Sequence, residues 1–161
     1  MILWNMKWQR MMKMTEKTTD KSKPELLRML HERMQKEQKS YRKWILSQSK
    51  EEILKLAPQY YVREQAVKEI GKIKPFSYSA DRYLYTEQIT VLLRSRTPLA
   101  DICREYFSDT DLYSRYDFIE SVRAAIDNCA NDLLRDEFLE RRDKGIYTRE
   151  INNTYIMEEN I

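Results

Sequence analysis

Apolar residues recur at helical spacing along most of this chain, and this periodicity restricts its fold more than any other feature. Leu27, Leu30, Met34, Tyr41 and Ile45 follow one another at intervals of three, four or seven residues. Such intervals place side chains on one face of an α-helix, whereas a half-buried strand alternates every second residue. Only two glycines and four prolines occur among 161 residues, too few for a fold with many tight turns. The pattern predicts an all-α protein.

Apolar stripes of this kind predict about five to six helices, two of them long. The first long helix begins at Pro24, after a capping box formed by Ser22 and Glu25, and the last runs from about Leu112 to Gly145. Helices with apolar stripes bury them against one another, so we expect a compact helical bundle. The predicted organisation is an N-terminal extension over residues 1–23, a bundle domain over 24–145, and a C-terminal tail or short helix over 146–161.

Two prolines mark further helix boundaries. Pro58 interrupts an apolar stripe and predicts a kink, or two short helices that meet at Ala57. Gly71 predicts the end of that segment. Thr97 followed by Pro98 is the favoured order for the start of a helix.

Charge is distributed unevenly between the two halves of the chain. Residues 1–80 carry 18 basic and 9 acidic side chains, whereas residues 81–161 carry 11 basic and 17 acidic ones. The two halves either attract each other within one fold or steer partners of opposite charge. Cys103 and Cys129 match no metal or redox motif and are expected to be buried thiols of a cytoplasmic protein. Residues 1–13 form either an amphipathic segment or an extension before a working start at Met14.

The residues that enzymes commonly need are scarce. His31 is the single histidine, which excludes a histidine pair, and two isolated glycines cannot form a phosphate-binding loop. Residues 109–120 place carboxylates at several positions of a calcium-loop template, but Tyr113 and Ser114 replace the oxygen ligand and the glycine that it needs. We therefore expect no enzyme, no cofactor and no metal site.

Residues 87–104 have the layout of a helix-turn-helix. Arg94 and Arg96 lie at the turn, where they would contact nucleic acid. Asp101 and Glu105 on the second helix would oppose phosphates. The other interpretation of this segment is a helical hairpin inside the bundle.

Two groups of residues are candidates for binding a partner. The first is a basic patch on the first long helix, with Tyr41 and Trp44 beside it, which consists of Lys36, Lys39, Arg42 and Lys43. Such a patch attracts nucleic acid or an acidic protein groove, and it is also common on a merely hydrated helix face. The second group is Tyr78, Tyr83 and Tyr85, in an aromatic segment without periodicity.

Three segments, residues 46–54, 60–64 and 92–102, resemble a small helical bacterial domain family of unknown function. The resemblance covers roughly residues 25–130 and includes no catalytic motif. It implies a genomic setting on plasmids, phages and conjugative elements of gut bacteria. Proteins in that setting often block host defence, so the resemblance implies a host protein or protein–nucleic acid complex as partner. An anti-CRISPR protein that occludes a Cas nuclease is the most concrete example, and a DNA-binding regulator is the alternative.

Overall fold

The computed structural model describes residues 21–74, 84–109 and 116–143. These residues contain five helices joined by turns, and no strand. The helices are α1 (Lys23–Leu46), α2 (Lys50–Lys72), α3 (Thr86–Arg94), α4 (Pro98–Ser108) and α5 (Phe118–Asp143). Their apolar faces pack on one another, which confirms the predicted all-α helical bundle. Most of the predicted N-terminal extension and all of the predicted C-terminal tail lie outside these residues, and Lys23 already belongs to α1.

α1 and α2 form a helical hairpin with a short turn. In the turn, the backbone N–H groups of Ser47 and Gln48 donate to the carbonyls of Trp44 and Ile45. Ser49 begins α2, and its hydroxyl accepts the N–H of Glu52 at 3.3 Å, as in one half of the predicted capping box. A turn this short makes the two helices antiparallel neighbours.

The alternative of two short helices that meet at Ala57 is wrong, because α2 runs from Lys50 through Lys72 as one helix, and the kink at Pro58 stays a prediction. A proline at this position removes the N–H that would bond the carbonyl of Leu54. Leu54 and Pro58 are both exposed, so water can reach the carbonyl that loses its donor. α2 is therefore a third long helix beside α1 and α5.

Gly71 lies inside α2 rather than after its end. A Cβ atom at this position would lie 2.8 Å from Nε2 of His31 on α1. The glycine thus permits the close approach of the His31 ring to the α2 backbone.

α3 and α4 are joined by three residues, and α5 packs against both of them. The structure confirms Thr97 as the residue before α4 and Pro98 as its first residue. Gln88 on α3 is buried, and both ends of its amide have partners. Its oxygen accepts the N–H of Tyr85 at 2.8 Å, and its nitrogen donates to Asp127 at 2.6 Å and Asn131 at 3.1 Å on α5. This buried amide ties α3 to α5 without leaving an unsatisfied group.

The hydrophobic core occupies one end of the α1–α2 hairpin. α1 contributes buried residues from Leu26 to Met34, and α2 contributes them from Val62 to Ile70. Among residues 35–61 only Ile45 is buried, and it does not belong to the core cluster. The far part of the hairpin, around the Ser47–Ser49 turn, therefore projects beyond the core.

Candidate functional site

All four basic residues singled out on α1 are exposed, and Lys39, Arg42 and Lys43 lie toward this far part of the hairpin, whereas Lys36 is next to Glu37, which contacts α4. Lys36, Lys39 and Lys43 follow one line along the helix at spacings of three and four residues, and Arg42 lies beside that line. Leu46 continues the same line and is 66% exposed. We call these five residues the basic stripe. It extends about 15 Å along α1, since each residue adds about 1.5 Å.

Like other exposed cations such as Lys50, Lys74 and Arg96, the cations of the basic stripe form no ion pair with a described residue, but the stripe brings four of them together on one helix. Elsewhere, Arg94 pairs with Glu137 at 2.6 Å, Arg123 with Glu69 at 2.7 Å and Lys72 with Glu69 at 2.9 Å. The fold neutralises those cations internally but presents the stripe to solvent.

The acidic residues nearest in sequence are occupied elsewhere. Glu32 pairs with Arg28, one turn away, at 2.6 Å. Glu37 turns toward the start of α4, where its carboxylate accepts the backbone N–H groups of Leu99 at 3.0 Å and Ala100 at 2.9 Å. No described carboxylate of α1 after Glu32 is therefore left to neutralise the stripe.

An aromatic pair lies in the same stretch of α1, with Tyr41 on the face toward α2. The Tyr41 and Trp44 rings lie 5.5 Å apart, and the Arg63 guanidinium of α2 lies 4.0 Å from the centre of the Tyr41 ring. The Tyr41 hydroxyl donates to Gln59 at 3.3 Å, and burial raises the pKa of that phenol. Tyr41 is half-buried between the two helices, consistent with its place in the apolar pattern, whereas Trp44 is 47% exposed.

The aromatic candidates are only partly within the described residues. Tyr78 and Tyr83 lie outside them. Tyr85 directly precedes α3, where its ring is 61% exposed and its N–H is donated to Gln88. The prediction that this segment contacts a partner thus remains a prediction, with Tyr85 at the surface.

The helix-turn-helix candidate is part of the bundle, and the structure gives Arg94 an internal partner. Nε and Nη2 of Arg94 donate to the two carboxylate oxygens of Glu137 at 2.8 and 2.6 Å, a bidentate pair. The N-terminal turn of α4, which would approach bases in such a motif, is capped by Glu37 and contains the buried Pro98. Arg96 is exposed, and its carbonyl accepts from Arg33 at 3.2 Å.

Sequence reasoning missed two features of this region. Arg33 and Glu37 hold the turn between α3 and α4, but their partners are some sixty residues away, and no local pattern indicates them. The sequence does contain a pattern that predicts the exposure of Leu46. Ile45 continues the apolar stripe of α1, so its neighbour Leu46 falls on the line of Lys39 and Lys43.

Titratable groups buried in the bundle have structural partners. Burial alone would raise the pKa of the Glu69 carboxyl, but hydrogen bonds from Lys72 and Arg123 outweigh it and hold that pKa below its ordinary value. Burial raises the pKa of the Cys103 thiol and, with the charges of nearby carboxylates, that of Cys129 to about 12. Both cysteines are free and buried, as predicted.

The described residues contain neither a metal-binding cluster nor a helix that could cross a membrane. No group of three or more histidine, cysteine or carboxylate side chains is placed to bind a metal ion there. The calcium-loop candidate lies partly outside that range, since residues 110–115 are not described. Among the helices described, none combines the length and the apolar character that crossing a bilayer requires.

Comparison with known proteins identifies a family for this chain but no function. Neither a curated protein nor a solved structure matches this chain. The profile of one family, described as a protein of unknown function (DUF3848), matches residues 26–134, which is more than half of the chain. This range agrees with the region over which the sequence resembled a family of unknown function. The chain therefore belongs to the DUF3848 family of proteins of unknown function.

Proposed function

We propose that this protein is a non-enzymatic binding module and that its basic stripe is the surface that contacts the partner. The observation that carries the proposal is the set of four exposed cations on α1 without ion-pair partners among the described residues. Arg42 and Lys43 lie in the last turns of α1, toward the part of the hairpin that projects beyond the core.

The stability of α1 does not account for the stripe. Cations near a helix C-terminus interact favourably with its dipole, but the effect falls off within the last turn. Lys43 lies in that turn, whereas Lys36 and Lys39 do not. Like charges three or four residues apart destabilise a helix by about 0.2–0.5 kcal/mol per pair. A cost of this kind is more readily explained by a surface that recognises another molecule.

We further propose that the partner is a host protein or protein–nucleic acid complex, such as a Cas nuclease. The module would block this partner by steric occlusion. The support for this partner is the genomic setting implied by the family resemblance in the sequence. The basic charge of the stripe supports an acidic partner surface but does not select one host system. The association with mobile elements of gut bacteria remains a prediction.

Recognition of DNA by α3 and α4 receives less support from the contacts of Arg94. Its guanidinium would have to leave the bidentate pair with Glu137 to reach a phosphate. We therefore treat nucleic acid as an outcome to be tested rather than as a second proposed function.

A pair of matched variants tests the proposal. Lys39→Gln with Lys43→Gln removes two charges from the basic stripe, and Lys68→Gln with Lys74→Gln removes two exposed charges from α2 and the residues after it. Both variants and the unaltered protein are used as baits in the native host, with quantitative mass spectrometry. We expect specific partners to be depleted with the stripe variant and retained with the control. Equal recovery with both variants would contradict the proposed surface.

A further inference from the structure

The partner of the basic stripe must match its linear form. Along α1, Lys36, Lys39 and Lys43 are separated by about 4.5 and 6 Å of axial rise. Because exposed charges more than a Debye length of about 8–10 Å away are largely screened, each cation is matched best by its own nearby anion. The stripe therefore selects a ligand whose negative charges recur every 4–6 Å along a line.

We infer that the basic stripe binds a helical segment of a partner protein that carries carboxylates at helical spacing and an apolar residue at one end. This inference rests on the proposed function and adds the chemical class of the partner. Carboxylates placed three and four residues apart on a helix have the same axial spacing as the cations of the stripe. Two helices packed side by side would bring several such pairs together.

Leu46 favours a protein over a nucleic acid. It ends the line formed by Lys39 and Lys43, and 66% of its surface is exposed. Burial of an exposed leucine against an apolar side chain is favourable, at about 25 cal/mol per Å² of apolar area removed from water. An amphipathic helix supplies such a side chain one turn beyond its carboxylates, whereas a phosphate backbone does not.

The end of the hairpin does not extend the positive charge of the stripe. Lys50, Glu51 and Glu52 form the start of α2 directly after the Ser47–Ser49 turn, at the same end as Leu46, and all three are exposed. Glu52 pairs with Lys55 at 3.0 Å, while acidic residues in a first turn complement the helix dipole. Lys50 and Lys55 balance the two carboxylates, so the net positive charge of the stripe does not continue past Leu46, and a partner with a short run of charge fits better.

The test uses two synthetic peptides of identical composition and the full-length protein labelled with ¹⁵N. One peptide places glutamates at positions i, i+3 and i+7 and a leucine at i+10 of a helix, and the other is a scrambled sequence without that spacing. We expect the patterned peptide to cause saturable shifts of amide signals within residues 36–46. Its Kd should increase with added NaCl and should be about tenfold higher for the variant with Lys39→Gln and Lys43→Gln.

The experiment also includes a single-stranded oligonucleotide and a duplex, each with the same net charge as the patterned peptide. All binding measurements are repeated with the variant that carries Lys68→Gln and Lys74→Gln. The control variant should bind the patterned peptide like the unaltered protein. Equal affinity for both peptides, tighter binding of either nucleic acid, or no saturable shifts would overturn the inference. If bait experiments show stripe-dependent partners while the peptides fail, the proposed function stands and the acidic helix is wrong.

Discussion

Arg33 and Glu37 lie one turn apart on α1 and hold the two helix ends that meet at the turn between α3 and α4. The Arg33 guanidinium donates to the carbonyls of Leu93, at the end of α3, and Arg96. The Glu37 carboxylate accepts two N–H groups from the first turn of α4. Each side chain has the charge opposite to the partial charge of the helix end that it contacts. α1 thereby fixes the geometry of a turn some sixty residues away.

Replacing Glu37 should destabilise the bundle. Glu37→Ala removes the cap of α4 and a carboxylate 3.7 Å from the Arg63 guanidinium, in a region where both side chains are mostly buried. We expect a loss of about 2 kcal/mol in the free energy of unfolding, measured by urea denaturation. Glu32→Ala is the matched control, because Glu32 forms an exposed pair with Arg28 and should cost about 0.5 kcal/mol or less. Equal losses for the two variants would contradict the capping role.

The start of α4 shows what the sequence could and could not predict. Thr97 and Pro98 indicated this helix start correctly, because the preference for proline in a first turn is local. The side chain of Thr97 forms no capping bond, and Glu37 supplies the acceptor instead. A contact across sixty residues depends on how α1 packs, which no pattern near Thr97 contains.

Alanine in place of Gly71 should stabilise α2 less than usual because of His31. Alanine in place of glycine usually favours a helix by about 0.5–1 kcal/mol, yet here its Cβ would lie 2.8 Å from the imidazole. Because the His31 side chain can turn away at some cost, we expect Gly71→Ala to stabilise the protein by less than this amount, and by the full amount when His31→Ala is also present. A double-mutant cycle of unfolding free energies measures this coupling. The same stability change in both backgrounds would show that the close approach has no energetic consequence.

Acid should weaken the contacts of Glu69. Its folded-state pKa lies below the ordinary value of 4.5, so the unfolded chain binds the proton more readily than the folded one. The stabilisation by this carboxylate is therefore complete above about pH 4.5 and is lost as the pH falls through the folded-state pKa. Glu69→Gln should lower stability at neutral pH and flatten the decline as the pH falls below about 4.5. A decline as steep as that of the unaltered protein would exclude Glu69 as a main contributor.

Both thiols should react slowly while the protein is folded. With its pKa at about 12, Cys129 is thiolate in only about one molecule in ten thousand at pH 8, and Cys103 is also buried with a raised pKa. We expect the reaction with Ellman's reagent to be slow in buffer and fast in concentrated urea. Rapid labelling of the native protein would indicate that the core around these residues opens readily.

For the candidate site, local chemistry was predictable and long-range pairing was not. The basic patch was visible in the sequence because its four residues are close together on one helix. Arg94 was equally visible as a basic residue at a turn, but its partner Glu137 lies 43 residues away on α5. The difference between an available cation and a paired one depends on helix packing, and it separates the basic stripe from Arg94, whereas Arg96 is exposed like the stripe.

Site-specific photocrosslinking in the native host tests most directly whether the basic stripe is the contact surface. A benzophenone amino acid replaces Ser40, which is exposed on α1 next to Lys36 and Lys43 and leaves all four cations intact. The control replaces the exposed Lys68 on α2. We predict a defined covalent adduct from position 40 and none from position 68. No adduct at position 40, or equal adducts at both positions, would contradict the proposed contact surface.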